Sequence, residues 1–173
     1  MKKVISGLLL SAIIIIVLLL TAAIVTRASR ARELGERLET LPDFTIPSID
    51  GSIFRSSEIL TGPLLVTYFH PECEHCRYEI SSLLESNIAE GNVKVVLISY
   101  AGRTQIVTFM KQFDIKRETP LWVLCDTAFV FRATFGTEII PSNFIYDKEL
   151  KLVKVWKGEV KSETLIKYLG SGY

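Results

Sequence analysis

Between Val4 and Val25 the chain carries no charged residue. At about 1.5 Å of rise per helical residue, such a run spans a hydrocarbon core of roughly 30 Å. It is too long, and too apolar all round, for a helix of a small soluble core. One membrane-crossing helix is therefore expected within residues 1–26. A cleaved signal peptide is the rival reading, because Lys2 and Lys3 make a basic start and Ala22, Ala23 and Ala28 are small. Its apolar region would be nearer to about 7–15 residues, and no small-x-small site precedes the arginines, so the uncleaved anchor is the reading taken. No cysteine lies near the segment to carry a lipid. Flanking charge does not orient the helix. Lys2 and Lys3 stand against Arg27, Arg30, Arg32 and Arg37, a count that slightly favours a cytoplasmic C-terminal domain.

The chain has 173 residues, and domains most often run to roughly 100–150 residues, so one domain follows the anchor. Residues 27–41 are charged and helix-favouring, with Leu34, Leu38 and Leu41 at helical spacing, and read as a helical stalk ended by Pro42. Residues 42–173 form the domain. Lys and Arg number 20 against 19 Asp and Glu, giving a net charge of +1. That balance offers no basic field for phosphates, and nucleic acid is not an expected partner.

Apolar patterning lays out the domain. Asp50-Gly51 separates the stretches Phe44–Ile49 and Ser52–Phe54 and predicts a hairpin. The continuous run Leu64–Phe69 predicts a strand buried on both faces. Residues Cys76 to Ala89 follow as an amphipathic helix ending near Gly91. Val93–Ser99 predicts a strand, Thr104–Phe113 a helix, Leu121–Leu124 a strand, Ala128–Phe135 a short helical stretch, and Asn143–Tyr146 and Leu152–Trp156 two more strands. Ser162–Leu169 is a last helix with Ser162 as its N-cap. Together these imply an α/β domain with a mixed sheet covered by helices on both faces.

Cys73-Glu74-His75-Cys76 places two thiols where a buried strand passes into a helix. A helix start offers unpaired N–H groups and the positive end of its dipole, both of which favour thiolate over thiol. Thiolate is the nucleophile of disulfide exchange, so Cys73 is the expected attacking sulfur and Cys76 the resolving one. His75, as imidazolium, would stabilise the anion, whereas Glu74 would oppose it, which together point to an intermediate potential. No phosphate loop, Ser-His-Asp order or dinucleotide fingerprint occurs, so no cofactor is expected.

These features resemble the exported, membrane-tethered thioredoxin-like proteins of the redoxin group, which includes the cytochrome-maturation thiol reductases. The resemblance covers about Pro42 to Leu169. It rests on Pro42-Asp43-Phe44-Thr45, the strand leading into Cys73–Cys76, and Ile140-Pro141 followed by Asn143-Phe144-Ile145-Tyr146-Asp147. It implies a thioredoxin-like fold and protein thiol or disulfide substrates. It also implies an electron donor or acceptor still to be identified, and a domain on the extracytoplasmic, periplasmic side of the membrane. By resemblance Pro141 is the cis proline facing the disulfide, and Ile140 offers backbone groups to an extended substrate segment. Three departures stand out. Glu72 replaces the usual tryptophan before the first cysteine, Thr67 replaces the buried acid of thioredoxins proper, and Glu74-His75 replaces glycine and proline. Glu79 stands where the cytochrome-maturation branch has a functional glutamate, which makes it the candidate proton carrier for Cys76. A solvated helix carboxylate is the alternative.

Two other chemistries compete. His70, Cys73, His75 and Cys76 could form a copper or zinc chaperone site, although residues so close in sequence converge on one ion only with strain. In the oxidoreductase reading no metal is expected. A peroxide-reducing redoxin would need Pro-x-x-x-Thr/Ser-x-x-Cys, a setting that is absent. Cys125, in or beside an apolar strand, is expected to be a small buried hydrophobe. Trp122, Trp156 and the set Phe109, Phe113, Phe129, Phe131 and Phe135 are expected in the core.

Overall fold

The computed structural model describes residues 2–86, 88, 93–115 and 120–170, with residues 2–13 as backbone only. The chain divides into two compact units, Met1–Arg37 and Leu38–Tyr173.

From Lys2 onward the first unit is helical, as part of α1 (Lys2–Leu38). Its stretch Ile14–Leu38 is by itself long and apolar enough to cross a membrane. Hydroxyls along it bond back to the helix: Thr21, Thr26 and Ser29 donate to the carbonyls of Leu18, Ala22 and Val25 at 2.9, 2.8 and 2.9 Å. Such back-bonding satisfies polar groups that find no water in an apolar medium. The charged residues after Arg27 continue the same helix, with Arg32 and Glu36 paired at 2.9 Å one turn apart. The helix ends at Leu38, before Pro42 is reached.

In the second unit β1 (Thr45–Pro47) and β2 (Ile53–Arg55) form the expected antiparallel hairpin. Gly51 turns it with φ +95°, a conformation open to glycine. A five-stranded sheet follows, in the order β5-β4-β3-β6-β7. Its strands are β3 (Leu64–Phe69), β4 (Lys94–Ser99), β5 (Leu121–Cys125), β6 (Ser142–Tyr146) and β7 (Leu152–Lys157). β3, β4 and β5 run parallel, whereas β6 and β7 are antiparallel additions. Central β3 is buried at every residue, which explains a run that is apolar or aromatic except at Thr67. Edge strand β7 carries Lys154 and Lys157, charges that discourage further strand pairing. Gly62, just before β3, must be glycine because a Cβ there would lie 2.0 Å from the Asp147 carbonyl oxygen.

The pleat sorts the two layers. Leu65 and Phe69 of β3 join a core with α2 (Glu74–Glu85), α3 (Arg103–Gln112) and α5 (Ser162–Gly170), through Cys76, Ile80, Ile106, Phe109 and Leu165. Tyr68 points the other way and stacks on Phe131 of α4 (Val130–Phe135) at 4.2 Å. Phe131 in turn stacks on Phe135 at 4.4 Å, and Phe135 meets Phe44 and Phe144 at 5.6 and 4.8 Å. The mixed sheet with helices on both faces is thus as expected.

Details differ. α2 begins at Glu74, two residues earlier than the apolar pattern suggested, because Cys73 caps it. It ends at Glu85, while the expected end at Ala89–Gly91 lies outside the described residues. Ser162 is the first helical residue of α5, not its N-cap. Phe129 is not core: it is 47% exposed and sits at positive φ just before α4. Trp122 and Trp156 are only half-buried.

Removing the Phe131 ring should cost about 3–5 kcal/mol, the usual range for a large aromatic lost from a core. Leu60→Ala, at a side chain 83% exposed, should stay within about 0.5 kcal/mol. Urea denaturation followed by tryptophan fluorescence would check both.

Candidate active site

β3 ends at Phe69, and a turn closed by Cys73 N–H to the His70 carbonyl (3.1 Å) delivers the chain to α2. Cys73 is the N-cap, with φ −78° and ψ 115°. Its Sγ accepts the Cys76 backbone N–H at 3.3 Å. The half-buried Cys73 and fully buried Cys76 are both free thiols, held together in the first turn. Burial pushes the Cys76 thiol well above its usual range, and its hydrogen bond with Cys73 and the nearby Glu79 add to that. An accessible sulfur facing a donor stands beside a sequestered one that keeps its proton.

Glu79, one turn further, is 1% exposed. The solvated-carboxylate alternative is therefore excluded. Burial pushes its carboxyl up to about 7, against two opposing hydrogen bonds. Asn143 Nδ2 donates to Oε1 at 2.8 Å, and the Val160 N–H donates to Oε2 at 2.7 Å. Thr67 Oγ1 donates to Asn143 Oδ1 at 2.8 Å, so the position without a buried acid is joined to Glu79 through one amide. A cleft of about 370 Å³ between α2 and α5, lined by Tyr78, Ser82, Val160, Lys161 and Ile166, opens beside Glu79.

The remaining expected residues are placed as follows. Ile140-Pro141 is a cis peptide. Tyr68 pairs with Ser142, so this peptide lies at the end of the sheet from which β3 releases the cysteine turn. His75 is exposed, and its Nδ1 pairs with Glu159, in the loop after β7. Glu74 is exposed in the first turn of α2. Glu72 accepts a hydrogen bond from Gln105 Nε2 of α3 at 3.0 Å. His70 Nδ1 accepts the Glu72 N–H at 3.2 Å, and the His70 ring lies 4.9 Å from that of Tyr100. His70 and His75 thus have partners away from the thiol pair, and among the described residues no three His, Cys, Asp or Glu side chains gather as a metal site. The chaperone reading finds no ligand set. Cys125 ends β5 half-buried, with its Sγ 3.5 Å from the Ala101 carbonyl oxygen.

Sequence reading missed Asn143, Val160, Glu159 and Tyr100. Asn143 had one visible signal, an amide in the otherwise apolar end of a buried strand. Tyr100 directly follows β4 and touches both His70 and Phe129, at 4.9 and 6.0 Å. It sits at the C-terminal edge of the parallel strands, where α/β sheets place their sites. Asp126 was also missed. It is buried, and caps α4 by accepting the Val130 and Phe131 N–H groups at 2.8 Å each.

A profile of the AhpC/TSA family matches residues 38–155. The chain belongs to that family. This AhpC/TSA chain is 25% identical over 132 residues to the thiol-disulfide oxidoreductase ResA of Bacillus thuringiensis subsp. konkukian (strain 97-27), covering 74% of this chain and 73% of that protein. A thiol:disulfide interchange protein of the thioredoxin family from Chlorobium tepidum TLS superimposes with a TM-score of 0.67 at 22% identity, covering 79% of this chain and 97% of that one. The peroxidoxin BcpB of Mycobacterium tuberculosis gives 0.63 at 20%, covering 76% and 94%. The fold is thioredoxin-like, and the same fold carries different sulfur chemistries, so the choice between them lies in the site's residues.

A folded-state carboxyl at about 7, against 4.5 for an ordinary one, means the fold favours protonated Glu79. Its contribution is intact below about 4.5 and is lost as pH rises through about 7. The stability of the native protein relative to Glu79→Gln should therefore fall across that interval and level off above it, as read by urea denaturation at a series of pH values. A pH-independent difference would contradict the burial-driven shift.

Proposed function

We propose that this AhpC/TSA chain is a membrane-anchored thiol-disulfide oxidoreductase that exchanges electrons with protein disulfides through Cys73 and Cys76. The observation that carries the reading is the N-cap geometry: an accessible sulfur receiving a backbone N–H from the residue that bears the buried second thiol. ResA, similar over most of both chains, bears the same activity in its name.

In the reducing direction the Cys73 thiolate attacks one sulfur of a substrate disulfide, and the other substrate sulfur leaves as a thiolate. The Cys76 thiol then gives its proton to the Glu79 carboxylate and attacks Cys73 Sγ. The Cys73–Cys76 disulfide forms, the second substrate sulfur leaves, and the substrate has gained the two electrons. Oxidation of a dithiol substrate reverses each step. A buried thiol resists ionisation, so the second step needs a base close by with a proton affinity near neutrality, which Glu79 supplies.

Ile140 and the cis Pro141 form the substrate ledge beside the thiols, where a strand-like segment can add its backbone. Glu74 and His75 tune the potential, and the His75–Glu159 pair tempers the imidazole's effect on the sulfurs. Residues 1–26 serve as anchor, 27–41 as stalk and 42–173 as the redox domain, on the extracytoplasmic side, where thiol pairs are cycled against an oxidising background. An electron donor or acceptor completes the cycle.

Cys76→Ser should hold substrates on Cys73 as mixed disulfides, visible as reductant-sensitive adducts on non-reducing gels, whereas Cys73→Ser should give none and lose insulin reduction. Glu79→Gln should slow resolution of the mixed disulfide by about 10²-fold while leaving its formation near normal, as resolved by stopped-flow. Adducts formed equally well without Cys73 would sink the assignment.

A further inference from the structure

Among the described residues Glu79 is held by two donors: the Val160 N–H on Oε2, and the Asn143 amide on Oε1. The first is backbone and fixed. The second belongs to a side chain that could in principle present either its oxygen or its nitrogen.

An ionised carboxylate has no proton to give and only accepts. Opposite it the Asn143 amide must present Nδ2, which turns Oδ1 toward Thr67. Thr67 has one hydroxyl proton, and the structure directs it to that Oδ1 at 2.8 Å. The chain Thr67 to Asn143 to Glu79 therefore runs one way, and its direction suits the charged acid. Were Glu79 to carry a proton on Oε1, that proton would meet the Asn143 N–H head on. All three side chains are 1% exposed or less, so water cannot readily stand in for a lost partner. A buried asparagine is costly unless every polar atom is matched, and here each end of the amide has a specific mate.

The geometry points to Asn143 as a positioning residue that sets how readily Glu79 takes the Cys76 proton, with Thr67 locking the Asn143 amide in the donating orientation. This rests on the reading of Glu79 as the proton carrier. The other titratable groups around Glu79 are Cys76 on its own helix, Glu159 of the loop after β7 with its α2 partner His75, and Tyr78, Glu85, Lys161 and Glu163 at the neighbouring cleft. From the sheet, the neutral Asn143 of β6 donates to it, and the neutral Thr67 of β3 acts through Asn143. The sheet side of Glu79 thus acts through hydrogen bonds alone.

Loss of one charge-assisted donor should raise the proton affinity of Glu79. Asn143→Leu in the full-length protein in detergent should move its titration upward by roughly one to two pH units. Carboxyl-stretch infrared difference spectra against Glu79→Gln read this directly. The pH profile for resolving a Cys73 mixed disulfide should move the same way. Thr67→Val should shift both in the same direction by a smaller amount, and Thr67→Ser, which keeps the hydroxyl, should restore the native values.

An unmoved Glu79 titration in folded Asn143→Leu would overturn the inference. If that variant does not fold, equal titration midpoints in Thr67→Val and Thr67→Ser would overturn it instead. A titration that moves while the resolution profile stays put would uphold the positioning role and dismiss Glu79 as the proton carrier.

Discussion

The hydrogen bond from the Cys76 N–H to Cys73 Sγ does two things with one contact. It caps α2 with a sulfur where serine or aspartate would ordinarily stand, and it aims a backbone dipole at the atom that would react. The contact exists because β3 is buried along its whole length and stops abruptly at Phe69. A strand in the middle of a sheet can continue only into a turn over the sheet's end, and the following helix must fold back across one face. The cysteines thereby fall at the C-terminal edge of the parallel strands, with the cis Ile140-Pro141 peptide of the antiparallel half at the same end of the sheet. Sheet topology, more than the two thiols themselves, decides that one sulfur is reachable and its neighbour is not.

The loop after β7 is the second determinant. Two consecutive residues in it engage α2 one turn apart: Glu159 meets exposed His75, and the Val160 N–H meets buried Glu79. The exposed ion pair contributes little energy in water, but it lies on the same short loop as the bond that fixes a carboxylate oxygen. Glu79 is thus suspended between α2, which carries it, β6, which donates an amide, and this loop, which donates a backbone N–H. Its position depends on chain segments more than sixty residues away. That dependence makes the acid's proton affinity a property of the assembled domain and not of the helix.

Much of this was legible in sequence because apolar periodicity and the strand-to-helix change are local. The runs Leu64–Phe69 and Val93–Ser99, the hairpin around Gly51 and the place of Cys73 all follow from patterns a few residues long. What escaped was long-range or concerned polar atoms. Asn143 read as the start of a strand because its partners, Thr67 and Glu79, lie on other elements. His75 was expected to act on the sulfurs, and nothing near it in sequence announces Glu159 as its mate. Phe129 looked like core by its spacing, yet Asp126 caps α4 so that this ring falls before the first helical turn and stays exposed.

A thioredoxin-like fold is shared by disulfide-exchanging proteins and peroxidoxins alike, so the distinction must be sought in how protons are handled. Peroxide reduction needs one sulfur that is already an anion when the oxidant arrives. Disulfide exchange through a pair needs that too, and then a second ionisation, out of water, at a thiol whose burial resists it. A fold committed only to the first task gains nothing by sinking a carboxyl beside the inner sulfur, since an unneeded buried acid is costly. Here the acid is present, fully buried, held by two donors, and poised near neutrality next to Cys76. Under the mechanism proposed above, that cost is the requirement of the second step.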